Sequence, residues 1–565
     1  MYPSIKDDNF NIKITKKYKK YEIPNKKKSF RDICFPKQYQ LQLPQMFVSN
    51  FINPDTPYKG ILVFHQIGSG KTCTAIRICE EWKNYRKIMV LVPASLVGNY
   101  RNELRSKCAG NNYISQKDRD LLKKLHPLDK EYKEIIGRSD KKIDKFYKIL
   151  SYHKFVNLSN EGKINLRNTL LIIDEIQNMI SETGSFYKIL YDEIKNAPND
   201  LRTVLLSATP MFDKPKEIAL TMNLILPKEL PTSYDFDKKF ISMRVLSNGT
   251  ELYNVKNMDI FKSYLKGYVS YYKGAPSYVY PEQTIKYVKC EMSNFQYDGY
   301  KKVLTKEKKS RNLDSINNLS NDFFIGTRIM SNIVFPNQKI NDEGFKTLTK
   351  DMILNKLEKY SCKFYKIINK LNSLHNGKAY VYSGFKEYGG LKSFIKILDA
   401  YGYKDYKKHS EGKKRYAIWT SEEKAEYKEE IKNIYNQKKN LDGSKLKLLL
   451  ISPSGKEGLS LFGVKQVHLL ESYWNWSRML QIIGRGSRYC SHKNLPSDQR
   501  KIKIYIYMAV HPKEKVSIDE YIHNLTVAKN KLINKFEMAL KEVAVDCRLF
   551  HNANSDKENP IKCDK

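Results

Sequence analysis

The chain has 565 residues, 41% of them hydrophobic, and carries 100 Lys and Arg against 61 Asp and Glu, a formal net charge of +39. That length exceeds one ordinary core and points to two to four domains, while no uninterrupted apolar run reaches the length of a bilayer, which argues against a membrane role. The charge would attract a polyanion at long range, but Lys, Asn, Ile and Tyr are also what AT-rich codons supply, so charge alone leaves nucleic-acid binding at even odds.

The start, "MYPSIKDDNF", lacks the basic-then-apolar layout of a secretion signal. Residues 13–32, "KITKKYKKYEIPNKKKSFRD", form a basic run without apolar periodicity and read as a mobile N-terminal segment, bounded at 1–32. Short β-rich runs then alternate with helical patterns: "ILVF" at 61–64, a helix over 72–82, "KIMVLV" at 87–92, "TLLIID" at 169–174 and "TVLLS" at 203–207. Such alternation predicts a parallel sheet covered on both faces, here an α/β domain over 33–227. Residues 228–360 show no convincing strand series and read as a mostly helical insert. Alternation resumes with "KAYVYS" (378–383), "RYAIWT" (415–420), "KLKLLLIS" (445–452), "QVHLLE" (466–471) and "KIKIYIYM" (501–508), which makes a second α/β domain over 361–510.

After it, Ser517 and Glu520 have capping-box spacing, and Leu525, Ala528, Leu532, Phe536, Leu540 and Val543 share one helical face. The reading is a C-terminal helix within 511–548 that packs on the body, followed by a disordered tail at 549–565. The nine cysteines are scattered with no CxxC pair, which indicates neither a zinc site nor a disulfide framework and fits a reducing, intracellular setting.

The chemistry begins at "HQIGSGKT". A phosphate loop works because consecutive N–H groups at a helix N-terminus converge on phosphate oxygens. Gly68, Ser69 and Gly70 form the turn, Lys71 brings charge to the outer phosphates, and Thr72 offers a hydroxyl to Mg²⁺. His65 stands where the usual pattern has its first Gly, at the strand-to-loop transition, where a side chain can point away. "LLIIDEIQ" supplies the partner acids: Asp174 for the Mg²⁺ shell and Glu175 to orient and deprotonate the attacking water. "SATP" places Ser207 and Thr209 on the next strand, where hydroxyls can relay the state of the γ-phosphate. In "QIIGRGSR", Arg485 and Arg488 lie three apart, so on a helix both face one way as candidate arginine fingers.

In this order, "HQIGSGKT", "VLVPASLVGNYRNEL", "ILSYHKF", "DEIQ", "SATP", "KAYVYSGF", "SPSGKEGLSL" and "QIIGRGSR" make the chain resemble a superfamily 2 helicase-type ATPase over most of its length. "SATPMFDKPKEIALTMNLILP" and "VLVPASL" lean toward the Snf2-like branch. More narrowly, "ILVFHQIGSGKT", "CEMSNFQ", "KAYVYSGFKEYGGL", "RYAIWTSEE" and "YNQKKNLDGSKLKLLLIS" are similar to the transcription-associated ATPases of large cytoplasmic DNA viruses. The small subunit of the poxvirus early transcription factor is the nearer pattern there, and poxvirus nucleoside triphosphatase I the looser one.

The resemblance implies two RecA-like parallel-sheet domains in tandem, with ATP and Mg²⁺ as the bound groups. It implies that Gln481, Arg485 and Arg488 reach the phosphates, and that Gln177, Ser207, Thr209 and Gly458 couple hydrolysis to domain movement. It puts Ser452, Gly458 and Ser460 near nucleic acid or the domain cleft. Gln45 is the expected adenine contact, with Gln38 competing. The chain departs from the pattern at His65, at Gln177 in place of a His, and at Lys456 in place of a Gly. It is also shorter after the second core domain than the poxvirus proteins, so a promoter-binding or docking role of that region is expected to be missing.

The expected function is a nucleic-acid-dependent ATPase that couples hydrolysis to movement on DNA or RNA, with DNA the more expected track, in viral transcription. Its expected partners are a viral RNA polymerase or a second transcription-factor subunit, its setting the host cytoplasm and the virion. The rival readings are an ATP-gated DNA-binding subunit that does not translocate, an architectural subunit with a vestigial site, and, weaker still, a small-molecule kinase.

Overall fold

The computed structural model describes residues 2–25, 28–180, 184–245, 251–309, 324–453, 459–555 and 560–564. The chain divides into two units, residues 1–277 with 529–565, and residues 278–528.

The first unit holds β1 (Gly60–His65), β2 (Lys87–Val92), β3 (Tyr147–Ser151), β4 (Thr169–Asp174), β5 (Arg202–Ser207), the antiparallel pair β6 (Ile241–Val245) and β7 (Glu251–Val255), and β8 (Val269–Tyr272). Six of these make one parallel sheet in the order β3-β2-β4-β5-β1-β8. Side chains alternate across a strand, so Leu62 and Phe64 enter one apolar layer while Ile61 and Val63 enter the other. The second unit holds β9 (Glu282–Glu291), β10 (Lys378–Tyr382), β11 (Lys404–Asp405), β12 (Arg415–Trp419), β13 (Leu448–Ile451), β14 (Val464–Leu469) and β15 (Lys501–Val510). These form a second parallel sheet, β11-β12-β13-β10-β14-β15-β9, with Ala379 and Val381 on one face and Tyr380 and Tyr382 on the other. The architecture is the expected tandem α/β one. Among the described residues no helix is long and apolar enough to cross a membrane.

Several expectations change. The insert at 228–360 is not a separate helical piece. Its first part ends in β8, which completes the first sheet beside β1, and its next part supplies β9, which pairs with β15 over ten residues in the second. β8 is only four residues long and β9 is exposed over its first six positions, so neither shows the apolar run that marks a buried strand.

The basic N-terminal run is ordered in its described residues. The helix Phe10–Lys17 and the turn Lys19–Tyr21 bury Phe10, Ile14, Tyr18 and Tyr21, and the Tyr18 ring meets Phe47 edge-on at 5.3 Å. These apolar positions recur every three to four residues between lysines, a stripe that the charge obscures.

The C-terminal helix runs Ile518–Val543 behind the expected capping box: Ser517 N–H donates to Glu520 Oε2 at 3.1 Å, and Glu520 N–H to Ser517 Oγ at 3.3 Å. It gives Ile518 and Ile522 to the second unit's core, and Ile533, Phe536, Leu540 and Val543 to the first's. Ala528, on the expected apolar face, is exposed.

The described part of the tail is ordered as well. Leu549 and Phe550 are buried, His551–Asn554 is helical, and Cys547 is disulfide-bonded to Cys563. A second disulfide joins Cys73 to Cys108. Both pairs are close in space but share no spacing signature, which is why the sequence pattern did not announce them.

Candidate nucleotide site

β1 runs through position 65 before the chain turns. His65 pairs with Tyr272 of β8, and Gln66 N–H donates to the Tyr272 carbonyl at 3.0 Å. The site of the missing glycine is therefore still strand, where an L-residue is at ease. The imidazole points sideways along the sheet: its Nε2 lies 3.0 Å from Ser270 Oγ, and Ser270 donates to the carboxylate of Asp546. Asp546 Oδ1 also accepts from Tyr271 N–H at 2.9 Å. Burial, reinforced by the Lys71 ammonium, pushes His65 down to about 3, so the ring is neutral. Burial likewise pushes Asp546 up to about 7 against its hydrogen bonds. All three side chains are fully buried and make an anchor for the base of the loop.

Beyond His65 the loop takes the shape its glycines allow. Gly68 and Gly70 have φ of 80° and 85°, and a Cβ on Gly70 would stand 2.7 Å from Gln45 Nε2. Gly70 precedes the helix Lys71–Trp82 and offers no side chain to cap it, so the first helical N–H groups are left for a ligand. Lys71 and Thr72 open that helix and are half-buried. Ser69 Oγ is buried with no hydrogen-bond partner among the described residues. An orphaned hydroxyl, two left-handed glycines and an uncapped helix start together fit a phosphate group. Gln45 lies over this loop, but its amide is committed to the protein: Oε1 accepts from Gln42 N–H at 2.9 Å and Nε2 donates to the Gly70 carbonyl at 3.4 Å. Gln38 is exposed.

β5 lies between β1 and β4, with Phe64 opposite Ser207 and Leu206 opposite Asp174. Three strand ends therefore meet at one edge of the sheet. Asp174 is buried and its Oδ1 accepts from Glu175 N–H at 3.0 Å. Glu175 sits at φ 55°, a left-handed conformation that costs a non-glycine residue about 1–3 kcal/mol. Tyr152 donates to the carbonyls of both Asp174 and Glu175 and holds this turn. From Glu175 a relay follows: Gln177 Nε2 donates to Glu175 Oε2 at 2.6 Å, Ser207 Oγ donates to Gln177 Oε1 at 2.7 Å, and Thr209 N–H donates to Ser207 Oγ at 2.9 Å. Gln177 can donate and accept at once, so it bridges a carboxylate and a hydroxyl without protonation, a task for which a His would need one particular tautomer. Cys73, next to Thr72, is tied by its disulfide to the short helix Lys107–Ala109.

The remaining site residues belong to the second unit. The helix Trp476–Ile483 ends at Gly484, so Arg485 and Arg488 lie in the turns beyond it and not on a common helical face. Arg485 is buried; its Nε donates to the Gln481 carbonyl at 3.0 Å and its Nη1 to the Leu459 carbonyl at 3.3 Å. Arg488 Nε donates to the Gly484 carbonyl at 2.9 Å and Nη1 to Ser460 Oγ. Both guanidiniums are thus held against the segment Leu459–Ser460. Ser452 is fully buried at the end of β13. Gly458 and Lys456 lie outside the described residues.

The anchor Ser270–Asp546 and the clamp Tyr152 were missed as site residues in the sequence. Tyr152 stands in the motif "ILSYHKF" and could have been found there, but nothing local marks Ser270 or Asp546.

A strand that runs directly into a phosphate loop, two strands from one ending in Asp-Glu, is the build of a P-loop nucleoside triphosphatase, and a second parallel-sheet unit narrows that to the tandem RecA-like class. Within it, the SNF2-related domain family matches residues 25–345, more than half of the chain, and the chain belongs to that family. The chain is 51% identical over 569 residues to "Putative ATP-dependent RNA helicase R563" of Acanthamoeba polyphaga mimivirus, covering 100% of this chain and 99% of the relative. It is 28% identical to "Putative helicase 087L" of Invertebrate iridescent virus 3 (95% and 56% covered), and 23% identical to "Termination factor NPH-I homolog" of African swine fever virus (86% and 76% covered). Among solved structures, the Pyrococcus furiosus Hef helicase domain aligns with a TM-score of 0.40 and 13% identity, over 82% of this chain and 94% of that one.

Proposed function

We propose that the chain is a nucleic-acid-dependent ATPase that couples hydrolysis to movement along the polymer. The observation that carries this reading is the unbroken path from Glu175 through Gln177 and Ser207 to Thr209, beside the phosphate loop. A path of this kind links the group that handles water to the Ser207 hydroxyl and the Thr209 backbone on the neighbouring strand end, where a change at the phosphate is felt.

Bound Mg²⁺–ATP supplies the anhydride to be broken. The backbone of residues 68–72 would cradle the phosphates, Lys71 would neutralise their charge, and Thr72 and Asp174 would hold the metal. Glu175 orients the water and accepts its proton. Arg485, Arg488 and Gln481 are the second unit's candidates to offset charge on the transferred phosphoryl group. Nucleic acid is held through backbone phosphates, so its affinity falls steeply with salt.

The finer reading is a role in viral transcription, beside a viral RNA polymerase or a second transcription-factor subunit. The relative named as a termination factor homolog supports it. The relative named as an RNA helicase makes RNA a track to test on equal terms with DNA.

The test is steady-state ATP hydrolysis at low salt with no polymer, duplex DNA, single-stranded DNA or RNA, beside Lys71→Ala and Glu175→Gln. Stimulation by one polymer, lost in both variants, is the expected result and names the track. Salt-sensitive binding without hydrolysis on any polymer overturns the motor in favour of an ATP-gated binding subunit.

A further inference from the structure

At the opposite end of the first sheet, where β2, β3 and β4 begin, the surface opens into a cavity of about 540 Å³. It lies a strand's length, about 20 Å, from the edge that carries the phosphate loop. Six of its sixteen lining residues are cationic (Lys83, Arg86, Lys87, Lys145, Lys148 and Lys163), against 100 of 565 in the whole chain, so composition alone does not account for them. A single carboxylate, Asp144, reaches the lining, and it is bonded to Arg101 at 2.6 Å. Lys87, Lys145 and Lys148 are exposed and have no carboxylate partner among the described residues.

The rest of the lining is equally specific. Tyr85 is 65% exposed, and the half-buried Phe146 ring lies 5.5 Å beneath the Lys145 ammonium. Asn84, Asn165 and Asn168 bring exposed amides to the rim. Asn168, held at φ 51°, accepts from Arg86 Nη1 at 3.1 Å and so fixes that guanidinium in place. Below, Glu80 accepts from Tyr113 and Tyr147, each at 2.6 Å, and pairs with Lys83 at 2.6 Å, which stiffens the floor and keeps this carboxylate's charge from the cavity.

Converging cations suit phosphate, an exposed ring suits the face of a base, and amides suit its edge. A bare anion would leave the ring unused, and a duplex is too wide for a concavity within the about 300–1,000 Å³ of small-ligand sites. We propose that this cleft binds a nucleotide unit of single-stranded nucleic acid, its phosphates on Lys87, Lys145 and Lys148 and its base on Tyr85, as a second contact separate from the ATP edge. The inference shares with the proposed function only nucleic acid as the ligand and requires no hydrolysis.

The test uses the full chain without ATP and a short oligothymidylate carrying 5-iododeoxyuridine, cross-linked by light and mapped by peptide mass spectrometry. The expected result is a cross-link within residues 83–89 or 145–148. Affinity of the unmodified oligonucleotide should drop about tenfold in Tyr85→Ala. Lys87→Gln with Lys148→Gln should lower the slope of log affinity against log salt by about 1.4, because each lost phosphate contact on a single strand is worth about 0.7. A cross-link confined to other peptides, with affinity and slope unchanged in these variants, overturns the proposal. So does thymidine monophosphate competing as well as the oligonucleotide, which would make this a free-nucleotide site. Polymer-stimulated ATP hydrolysis with an unlabelled cleft removes only the cleft, whereas a labelled cleft without hydrolysis removes only the motor.

Discussion

In the first unit, His65, Ser270 and Asp546 are buried and joined by hydrogen bonds. In the second, Lys363 and Asp519 are just as buried but form an ion pair at 2.7 Å. Lys363 also donates to Asn332 Oδ1 at 2.9 Å and to the Leu470 carbonyl at 3.1 Å, while Asn332 donates to Glu471 at 2.7 Å. Asp519 accepts from Ala509 N–H at 2.8 Å. The first group meets the cost of burial by shedding charge, the second by surrounding its charges with donors and acceptors. The difference teaches where each unit is vulnerable. The anchor under the phosphate loop should respond to pH, and the Lys363–Asp519 pair to the loss of one partner.

The largest effect is expected from breaking the ion pair. Lys363→Ala should cost about 3–5 kcal/mol in chemical denaturation, because Asp519 is left buried and unpaired. The double replacement Lys363→Met with Asp519→Leu should recover most of that, and a double variant as unstable as the single one would show that the pair is not the cause. Next comes the Cys73–Cys108 disulfide, which closes a sequence separation of 35 in the first unit. Cys73→Ala with Cys108→Ala should cost about 2–4 kcal/mol by chain entropy, and an unchanged melting temperature would count against a formed bond.

His65→Gly would restore the usual loop pattern yet should destabilise by about 1–3 kcal/mol, since it removes a buried partner of Ser270. Basal ATP turnover in that variant should stay near wild type once the protein is folded. A gain in turnover would mean that the imidazole obstructs the phosphates.

The last effect is the most specific. Asp546 is raised from 3.8 to about 7 in the fold, so its stabilising contribution is full below pH 3.8 and is lost as pH rises through about 7. His65 is lowered from 6.5 to about 3, so its contribution is full above pH 6.5 and is lost as pH falls toward 3. Asp546→Asn leaves only the second slope. Melting of the variant should therefore gain more than wild type between about pH 5 and about pH 8, and parallel pH profiles would refute the neutral-burial account.

How much of this was legible follows from the range of each signal. β2 and β4 fall at the expected boundaries because they are continuous apolar runs, and the phosphate loop and the Asp174-Glu175 turn are local strings. β8 is four residues of a Ser- and Tyr-rich stretch, and it is a strand only because β1 offers an edge. The stripe Phe10, Ile14 and Tyr18 was hidden among lysines. Arg485 and Arg488 were found as residues but misplaced on a helix, since Gly484 ends it one residue earlier. Ser270 and Asp546 stand 276 positions apart, and no local pattern could join them.

That last separation bears on how the protein is made. The second unit is one continuous stretch, whereas the first needs residues 529–565, which leave the ribosome after it. Phe536, Leu540 and Phe550 of its core, and Asp546 beneath its phosphate loop, are synthesised after the whole of the second unit. The first unit, though begun earlier, thus closes only after the second has been made, and nascent chains carrying a finished phosphate loop would still expose apolar surface to chaperones.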